Sequence, residues 1–126
     1  MKIIFAFFVT SSVFLSCKGS SVDANGQPLF SNVDVTAAKQ MIADNPNLII
    51  LDVRTPGEIK DGKLPNAIEI DYRNSNFDTE IDKLDKTKSY LVYCKSGGRS
   101  MSACKKMNAA GFTDLTNMKG GYSAWK

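Results

Sequence analysis

The chain has 126 residues, the length of one domain, and its apolar (43%) and charged (23%) fractions are ordinary for a globular protein. The net charge is only +3, and the sixteen basic residues form neither a run nor a stripe with aromatic residues, which argues against nucleic-acid binding. There are three cysteines and no histidine. A Ser-His-Asp triad, a Cys-His dyad and a histidine-containing zinc site are therefore excluded, and any nucleophile must be activated without imidazole.

The N-terminal segment is typical of an export signal. After Lys2, the mostly apolar stretch 3–15 is too short for a membrane-spanning helix, which needs about 20 residues. The segment 14–17 (FLSC) resembles the lipobox of bacterial lipoproteins, although its Leu is one position closer to the Cys than is usual. The resemblance implies a lipoprotein signal peptide over 1–16, with lipid attached to Cys17. An ordinary signal peptide or a buried strand remains the alternative.

The segment that follows predicts a tether. Its sequence over 18–28 (KGSSVDANGQP) is rich in Gly, Ser, Asn and Asp and too polar to fold by itself. We therefore expect a lipidated Cys and flexible linker over 17–29, and a folded domain over 30–126. The expected location is the cell envelope, with the lipid anchoring the chain to the outer membrane or the periplasmic face rather than in the cytoplasm.

The folded part alternates between predicted helices and strands. Asp34 can cap a helix over 35–43, and Thr55-Pro56 can begin a short helical turn that reaches Ile59. The apolar run 48–53 (LIILDV) is typical of a strand that is buried on both faces. Further strands are predicted over 67–70, 89–93 and 114–118, and further helices over 77–84, from about 98 to 110, and ending at Trp125. This alternation predicts an α/β domain in which crossover connections produce a parallel sheet, covered by helices on both faces.

The most informative segment is 93–100 (YCKSGGRS), between a predicted buried strand and a helix. Gly97 and Gly98 allow backbone N–H groups to turn inwards at the start of that helix, which makes a binding site for anions. A cysteine at its centre, Cys94, should have a lowered pKa because those donors stabilise the thiolate. Cys94 is therefore the candidate nucleophile, with positive charge added by Lys95 and Arg99. The alternative is a glycine-rich turn whose cysteine takes no part in chemistry.

Three motifs in this order resemble rhodanese-like domains. The loop 94–99 is similar to the family's active-site loop, 51–59 (LDVRTPGEI) to its N-terminal signature, and the stretch from Gly111 to 120–125 (GGYSAW) to its C-terminal one. One departure is 63–67 (KLPNA), where the family commonly has His-Ile-Pro-Gly-Ala. The resemblance implies a rhodanese-like three-layer sandwich with a central, mainly parallel five-stranded sheet.

The resemblance also implies a function, that of a thiosulfate sulfurtransferase. Cys94 would take sulfane sulfur from a thiosulfate-like donor, hold it as a persulfide and pass it to a thiophilic acceptor such as a thiol. The backbone from Lys95 to Arg99 would cradle the persulfide, the side chains of these two residues would bind the sulfonate, and the Ser96 hydroxyl would donate a hydrogen bond. Neither a metal nor another cofactor is implied, and we expect a monomer.

Supporting roles are predicted for Asp52, Arg54 and Glu58. Asp52 and Arg54 end a core strand near the loop, and we expect them to fix its geometry, with Arg54 pairing with Glu58, rather than to contact substrate. Cys104 lies several residues along the predicted helix, too far from Cys94 for a disulfide, which favours buried packing over a resolving role.

Two other functions remain open from the sequence. Phosphatases and arsenate reductases also use a cysteine in an anion-binding loop that ends in arginine, but their loop has five intervening residues, whereas four separate Cys94 from Arg99 here. A sulfur-carrier or binding module without turnover would use the same loop, and the sequence does not separate it from an enzyme.

Overall fold

The computed structural model describes residues 22–126. The predicted signal peptide, 1–16, and the lipidation site, Cys17, lie outside the described residues. Part of the predicted tether, 22–28, forms a turn in which the Asp23 carboxylate accepts backbone N–H groups from Asn25 and Gln27 at 2.8 and 2.9 Å. Within residues 22–126 no helix has both the length and the apolar character that crossing a bilayer requires.

Strands and helices alternate along the described part of the chain. The strands are β1 (Ser31–Val33), β2 (Ile49–Asp52), β3 (Ile68–Glu69), β4 (Ser89–Tyr93) and β5 (Asp114–Met118). The helices are α1 (Val35–Asp44), α2 (Pro56–Ile59), α3 (Phe77–Asp82), α4 (Gly98–Ala109) and α5 (Gly121–Trp125). Four of these strands were predicted from the sequence, and β1 was not.

The five strands form one parallel sheet with the order β1-β5-β4-β2-β3. The central strand β4 aligns Val92 with Leu51 of β2 on one side and with Asn117 of β5 on the other. Because every strand runs in the same direction, all five carboxyl ends lie at one edge of the sheet. The prediction of a parallel sheet is confirmed, and β4 ends at the edge where ligands generally bind in sheets of this kind.

Helices cover both faces of the sheet, which confirms the predicted three-layer sandwich. Alternate residues of β4 point to opposite faces, so Val92 packs into one apolar cluster and Leu91 into the other. The first cluster takes its helical residues from α3 and α4, including Phe77, Ile81, Ala103, Cys104 and Met107. The second takes them from α1 and α5, including Ala38, Ile42, Tyr122 and Trp125.

The predicted helix starts are confirmed by their capping contacts. Asp34 precedes α1, and its carboxylate accepts the Ala37 N–H at 2.8 Å. Thr55 precedes α2 and forms a reciprocal capping box with Glu58, while Pro56 occupies the first helical turn, where a missing N–H costs nothing. This capping box fixes Glu58 at the edge of the sheet that carries the loop after β4.

Candidate active site

The loop between β4 and α4 places Cys94 at the carboxyl end of the central strand. Tyr93 ends β4, and Gly98 begins α4 after a turn at Gly97. Gly97 has a φ of +113°, a backbone conformation that glycine adopts far more readily than other residues. The glycine predicted to curl the loop therefore does so, and its own backbone N–H points towards the cysteine.

The sulfur of Cys94 lies inside this loop and is almost wholly buried, with 1% of the residue exposed. It accepts the backbone N–H of Gly97 at 3.0 Å, and the Ser100 hydroxyl lies 3.4 Å from it. The same hydroxyl is 3.0 Å from the Gly97 carbonyl oxygen, so it can donate to either acceptor. Two kinds of donor, backbone and hydroxyl, therefore converge on one sulfur atom.

These donors decide the protonation of Cys94. Burial by itself raises the pKa of the thiol, because it disfavours the charged form. The Ser100 hydroxyl and the backbone N–H groups of Ser100, Gly97 and Ser96 act in the opposite direction, and the net pKa is lowered from its ordinary value. The sulfur is thus activated by hydrogen bonds in a site that contains no imidazole.

Helix α5 holds the outer side of the loop. The backbone N–H of Tyr122 donates to the Cys94 carbonyl oxygen at 2.8 Å, and that of Ser123 donates to the Lys95 carbonyl oxygen at 3.0 Å. This approach needs glycine at position 121, because a Cβ on Gly121 would lie 2.4 Å from the Cys94 carbonyl oxygen. The C-terminal motif therefore has a structural purpose, which is to fix the path of the backbone around the cysteine.

The loop arginine is held by a carboxylate from α2. Arg99 donates from its two terminal nitrogens to the two oxygens of Glu58, at 2.7 and 2.8 Å. Thr55 donates its hydroxyl to the same carboxylate at 3.0 Å. Hydrogen bonding from Arg99 is the largest of the effects that lower the pKa of Glu58 to about 2, so the carboxylate stays ionised and the pair stays formed near neutral pH.

The predicted pairing of Arg54 with the Glu58 side chain is wrong. Arg54 pairs with Asp52, with its Nη2 2.7 Å from a carboxylate oxygen, and both residues are buried, at 2% and 0% exposed. Tyr93 donates its hydroxyl to Asp52, and the Arg54 guanidinium also lies over the Tyr122 ring, 4.3 Å from its centroid. Arg54 reaches Glu58 only through its backbone oxygen, at 3.4 Å, because the Glu58 carboxylate is occupied by Arg99.

The other predicted loop residues differ in exposure. Lys95, Ser96 and Gly98 are exposed, Arg99 is partly buried, and Gly97 is buried. The hydroxyl beside the cysteine sulfur belongs to Ser100 and not to Ser96, whose side chain lies at the surface. Ser100 was not predicted from the sequence. Helical geometry could have identified it, since Ser100 lies in the first turn of α4 and that turn faces the loop that precedes the helix.

Cys104 is buried and reduced, in agreement with the predicted packing role. It is 0% exposed, and burial raises the pKa of its thiol to about 12, so it is protonated near neutral pH. No group of three or more potential metal ligands lies together within residues 22–126.

A small cleft opens beside the loop. Its volume is about 160 Å³, and its lining includes Glu58, Lys95, Tyr122 and Lys126. The cleft is bounded by α2 on one side and α5 on the other, next to the backbone that follows Cys94. Lys126 was not singled out from the sequence, since one charged residue at the end of a chain carries no pattern.

Comparison with known proteins agrees with this geometry. Residues 34–126 match the family model for the rhodanese-like domain. A sulfurtransferase of Allochromatium vinosum is 29% identical over 97 residues, which are 77% of this chain and 89% of that protein. Thiosulfate sulfurtransferase 16, chloroplastic, of Arabidopsis thaliana is 37% identical over 105 residues, covering 75% of this chain and 86% of that protein.

A solved structure extends the comparison to the fold. The crystal structure of a rhodanese-like domain protein from Staphylococcus aureus superposes with a TM-score of 0.69 at 27% identity, covering 77% of this chain and 92% of that one. The match of residues 34–126 includes β2, the Cys94 loop and α5, the three parts on which the site is built. The chain therefore belongs to the rhodanese-like family of sulfurtransferases.

Proposed function

We propose that the protein transfers sulfane sulfur from a small donor to a thiophilic acceptor, with Cys94 as the covalent carrier. With thiosulfate as donor, the Cys94 thiolate attacks the outer sulfur, a bond forms between the two sulfur atoms, and the electron pair of the broken S–S bond leaves with sulfite. The acceptor, a thiolate or cyanide, then attacks the outer sulfur of the Cys94 persulfide. The thiolate of Cys94 is the leaving group and is regenerated.

The observation that carries the proposal is the set of donors around Cys94. The Gly97 N–H and the Ser100 hydroxyl stabilise negative charge on a buried sulfur, in a chain that contains no histidine to act as a base. We propose that the loop donors also stabilise the persulfide that forms on this sulfur. We propose that the rest of the donor occupies the cleft beside the loop, where Lys95 provides a positive charge.

The central step can be tested by mass spectrometry of the intact protein after treatment with thiosulfate. We expect the peptide that contains Cys94 to gain the mass of one sulfur atom, and treatment with cyanide to remove it. Cys94→Ser should gain no sulfur, while Cys104→Ala should gain it as the wild type does, because Cys104 is buried and protonated. Unmodified Cys94 after treatment with both thiosulfate and a persulfide donor would refute the proposal.

Turnover separates an enzyme from a carrier. An enzyme should produce many equivalents of thiocyanate from thiosulfate and cyanide. A carrier that loads Cys94 once and waits for a partner would give about one equivalent. Hydrolysis of an aryl phosphate that depends on Cys94 would instead favour phosphatase chemistry.

We further propose that the chain is attached to a membrane of the cell envelope by lipid on Cys17, with the domain joined to it by the tether. The support is the apolar segment 3–15 followed by a cysteine with lipobox-like neighbours. Cells grown with a labelled fatty acid should label the wild type and not Cys17→Ala. Equal labelling of the two, or recovery of an uncleaved soluble chain, would contradict this part.

A further inference from the structure

The charge at the loop differs from the charge that its sequence suggests. Lys95 and Arg99 both belong to the loop, but Arg99 gives both terminal nitrogens to the Glu58 carboxylate. Glu58 is in turn fixed by the Thr55 hydroxyl and by its place in the capping box, so the carboxylate has little freedom to swing away. The Arg99 guanidinium, which could bind an oxyanion with two hydrogen bonds, already makes these two hydrogen bonds to the Glu58 carboxylate.

The second nearby guanidinium is also occupied. Arg54 lines the same cleft, but it is 2% exposed and bound to Asp52, with a further hydrogen bond to the Gly62 carbonyl oxygen at 2.8 Å. Among residues 22–126, Lys95 has no carboxylate within ion-pair distance. Arg99 and Glu58 cancel each other, so that Lys95 and the Cys94 thiolate are the charges left at the loop itself, while Asp61 and Lys126 add one charge of each sign to the cleft beside it.

This balance affects sulfur donors unequally. Thiosulfate brings two negative charges next to the Cys94 thiolate, and the Arg99 guanidinium that would otherwise attract them is held by Glu58. A persulfide, R–S–SH, can react as a neutral molecule and meets no such repulsion. Partly buried charges interact strongly because water screens them less than it screens surface charges, and Glu58 and Arg99 have only 25% and 17% of their side chains exposed.

We propose that Glu58 is a specificity-determining residue which, by occupying Arg99, makes the site select sulfane-sulfur donors of low charge, namely persulfides, over dianionic thiosulfate. The inference rests on the proposed sulfur transfer through Cys94. The loading step balances without an added oxidant. The Cys94 thiolate attacks the outer sulfur of R–S–SH, a new S–S bond forms, the old one breaks, and its electron pair leaves as the thiolate R–S⁻. The proton remains on the transferred sulfur.

The test measures the second-order rate of sulfur loading on the Cys94 peptide with two donors, thiosulfate and the persulfide of 2-mercaptoethanol, which is uncharged apart from its reacting sulfur. The quantity of interest is the ratio of the thiosulfate rate to the persulfide rate. Glu58→Gln keeps the size of the side chain, removes its charge and releases Arg99. We expect this variant to raise the ratio about tenfold, chiefly by lowering the thiosulfate concentration that gives half-maximal loading.

The matched control is Glu80→Gln on α3. Glu80 makes an exposed ion pair with Lys83, and its replacement changes the net charge of the protein by the same amount without touching the loop. The ratio should stay at the wild-type value in this variant. An equal rise in both variants would show an effect of net charge alone and would overturn the proposal.

The remaining outcomes are distinct. If both donors load Glu58→Gln more slowly in the same proportion, Glu58 merely positions the loop and the proposal is wrong. If neither donor loads wild-type Cys94, the proposed function itself fails. Should Glu58→Gln not fold, the wild type still decides. A ratio that is unchanged by added salt, or that rises with it, supports a site without net attraction for thiosulfate. A ratio that falls steeply with salt reveals a net positive site that attracts thiosulfate and refutes the proposal.

Discussion

Replacing Ser100 with alanine removes the hydroxyl that lies 3.4 Å from the Cys94 sulfur and leaves the backbone donors in place. The hydroxyl is buried, and it is one of the groups that keep the pKa of Cys94 below its ordinary value, against the effect of burial. Without this hydroxyl, burial is opposed by the backbone donors alone, so the pKa of Cys94 should rise. The thiolate should then form only at higher pH.

The size of the effect follows from the geometry. A hydrogen bond to a charged group is worth about 1.5–3 kcal/mol, and this one belongs at or below the lower end because the Gly97 carbonyl oxygen, 3.0 Å away, competes for the same proton. A loss of about 1.4 kcal/mol lowers the thiolate population about tenfold when the pH is below the pKa. A more basic thiolate is also about threefold more nucleophilic, so the net rate at a pH below the pKa of the wild-type thiol should fall about three- to fourfold.

The assay follows the rate at which iodoacetamide alkylates Cys94 as a function of pH, counted on the Cys94 peptide by mass spectrometry so that other cysteines do not contribute. We expect Ser100→Ala to react more slowly than the wild type at a pH below the pKa of the wild-type thiol, to reach its plateau at higher pH, and to exceed the wild type on that plateau. Ser102→Ala, on the same helix but without a contact to the sulfur, should reproduce the wild-type profile.

Two results would count against this reasoning. An unchanged pH profile in Ser100→Ala would mean that the hydroxyl is donated to the Gly97 carbonyl oxygen in both protonation states of Cys94. A rate that falls by the same factor at every pH, with no alkaline displacement, would mean that the substitution changes access to the sulfur and leaves its ionisation alone.

Three further predictions concern the residues that hold the loop. Arg54→Met should lower the free energy of unfolding in urea by about 3–5 kcal/mol, because it leaves the fully buried Asp52 carboxylate without its cation; a loss below about 1 kcal/mol would contradict this. Gly121→Ala should destabilise the folded protein by about 1–3 kcal/mol in thermal unfolding and should slow sulfur loading on Cys94, because the new Cβ would lie 2.4 Å from the Cys94 carbonyl oxygen. An unchanged melting temperature and an unchanged loading rate would show that α5 can move aside. The pKa of Glu58 is lowered from 4.5 to about 2 by Arg99, so the stabilisation that this carboxylate provides is present above pH 4.5 and is lost as the pH falls towards 2. The free energy of unfolding in urea should therefore change less with pH in Glu58→Gln than in the wild type over that window. An equal change in the two proteins would refute this prediction.

The backbone of the fold was predictable because local signals agree with one another along the chain. The strands over 89–93 and 114–118 have the predicted limits, and the run 48–53 contains β2 with one residue to spare at each end. Strand β1, only three residues long, has the sequence Ser-Asn-Val, and two of these residues are exposed. Its place in the sheet comes from pairing with β5, which lies more than eighty residues later, and no local pattern carries that information.

The chemistry of the site was predictable in its nucleophile and not in its charge pairs. Cys94 stands in a motif whose glycines, preceding strand and following helix all predict a nucleophile at the carboxyl end of β4. The partners of Arg54 and Arg99 depend instead on which of two carboxylates, Asp52 or Glu58, each guanidinium reaches in space. The sequence suggested that Arg54 pairs with Glu58, but the Thr55 cap turns the Glu58 carboxylate towards Arg99, and Asp52 at the end of β2 takes Arg54.

Because most donors to the cysteine sulfur are backbone groups, the loop path should matter more to reactivity than its exposed side chains do. Ser96→Ala changes an exposed side chain and leaves the backbone as it is, so the alkylation profile of Cys94 should be that of the wild type. Gly97→Ala has space for its Cβ, with the nearest atom 3.6 Å away, but places alanine at a φ of +113°. Relief of that strain must rotate the N–H that donates to Cys94 at 3.0 Å, so reactivity at neutral pH should fall sharply even if the protein remains folded. Measured by iodoacetamide alkylation with circular dichroism as the check on folding, a larger loss in Ser96→Ala than in Gly97→Ala would show that side chains, and not the backbone, activate the thiol.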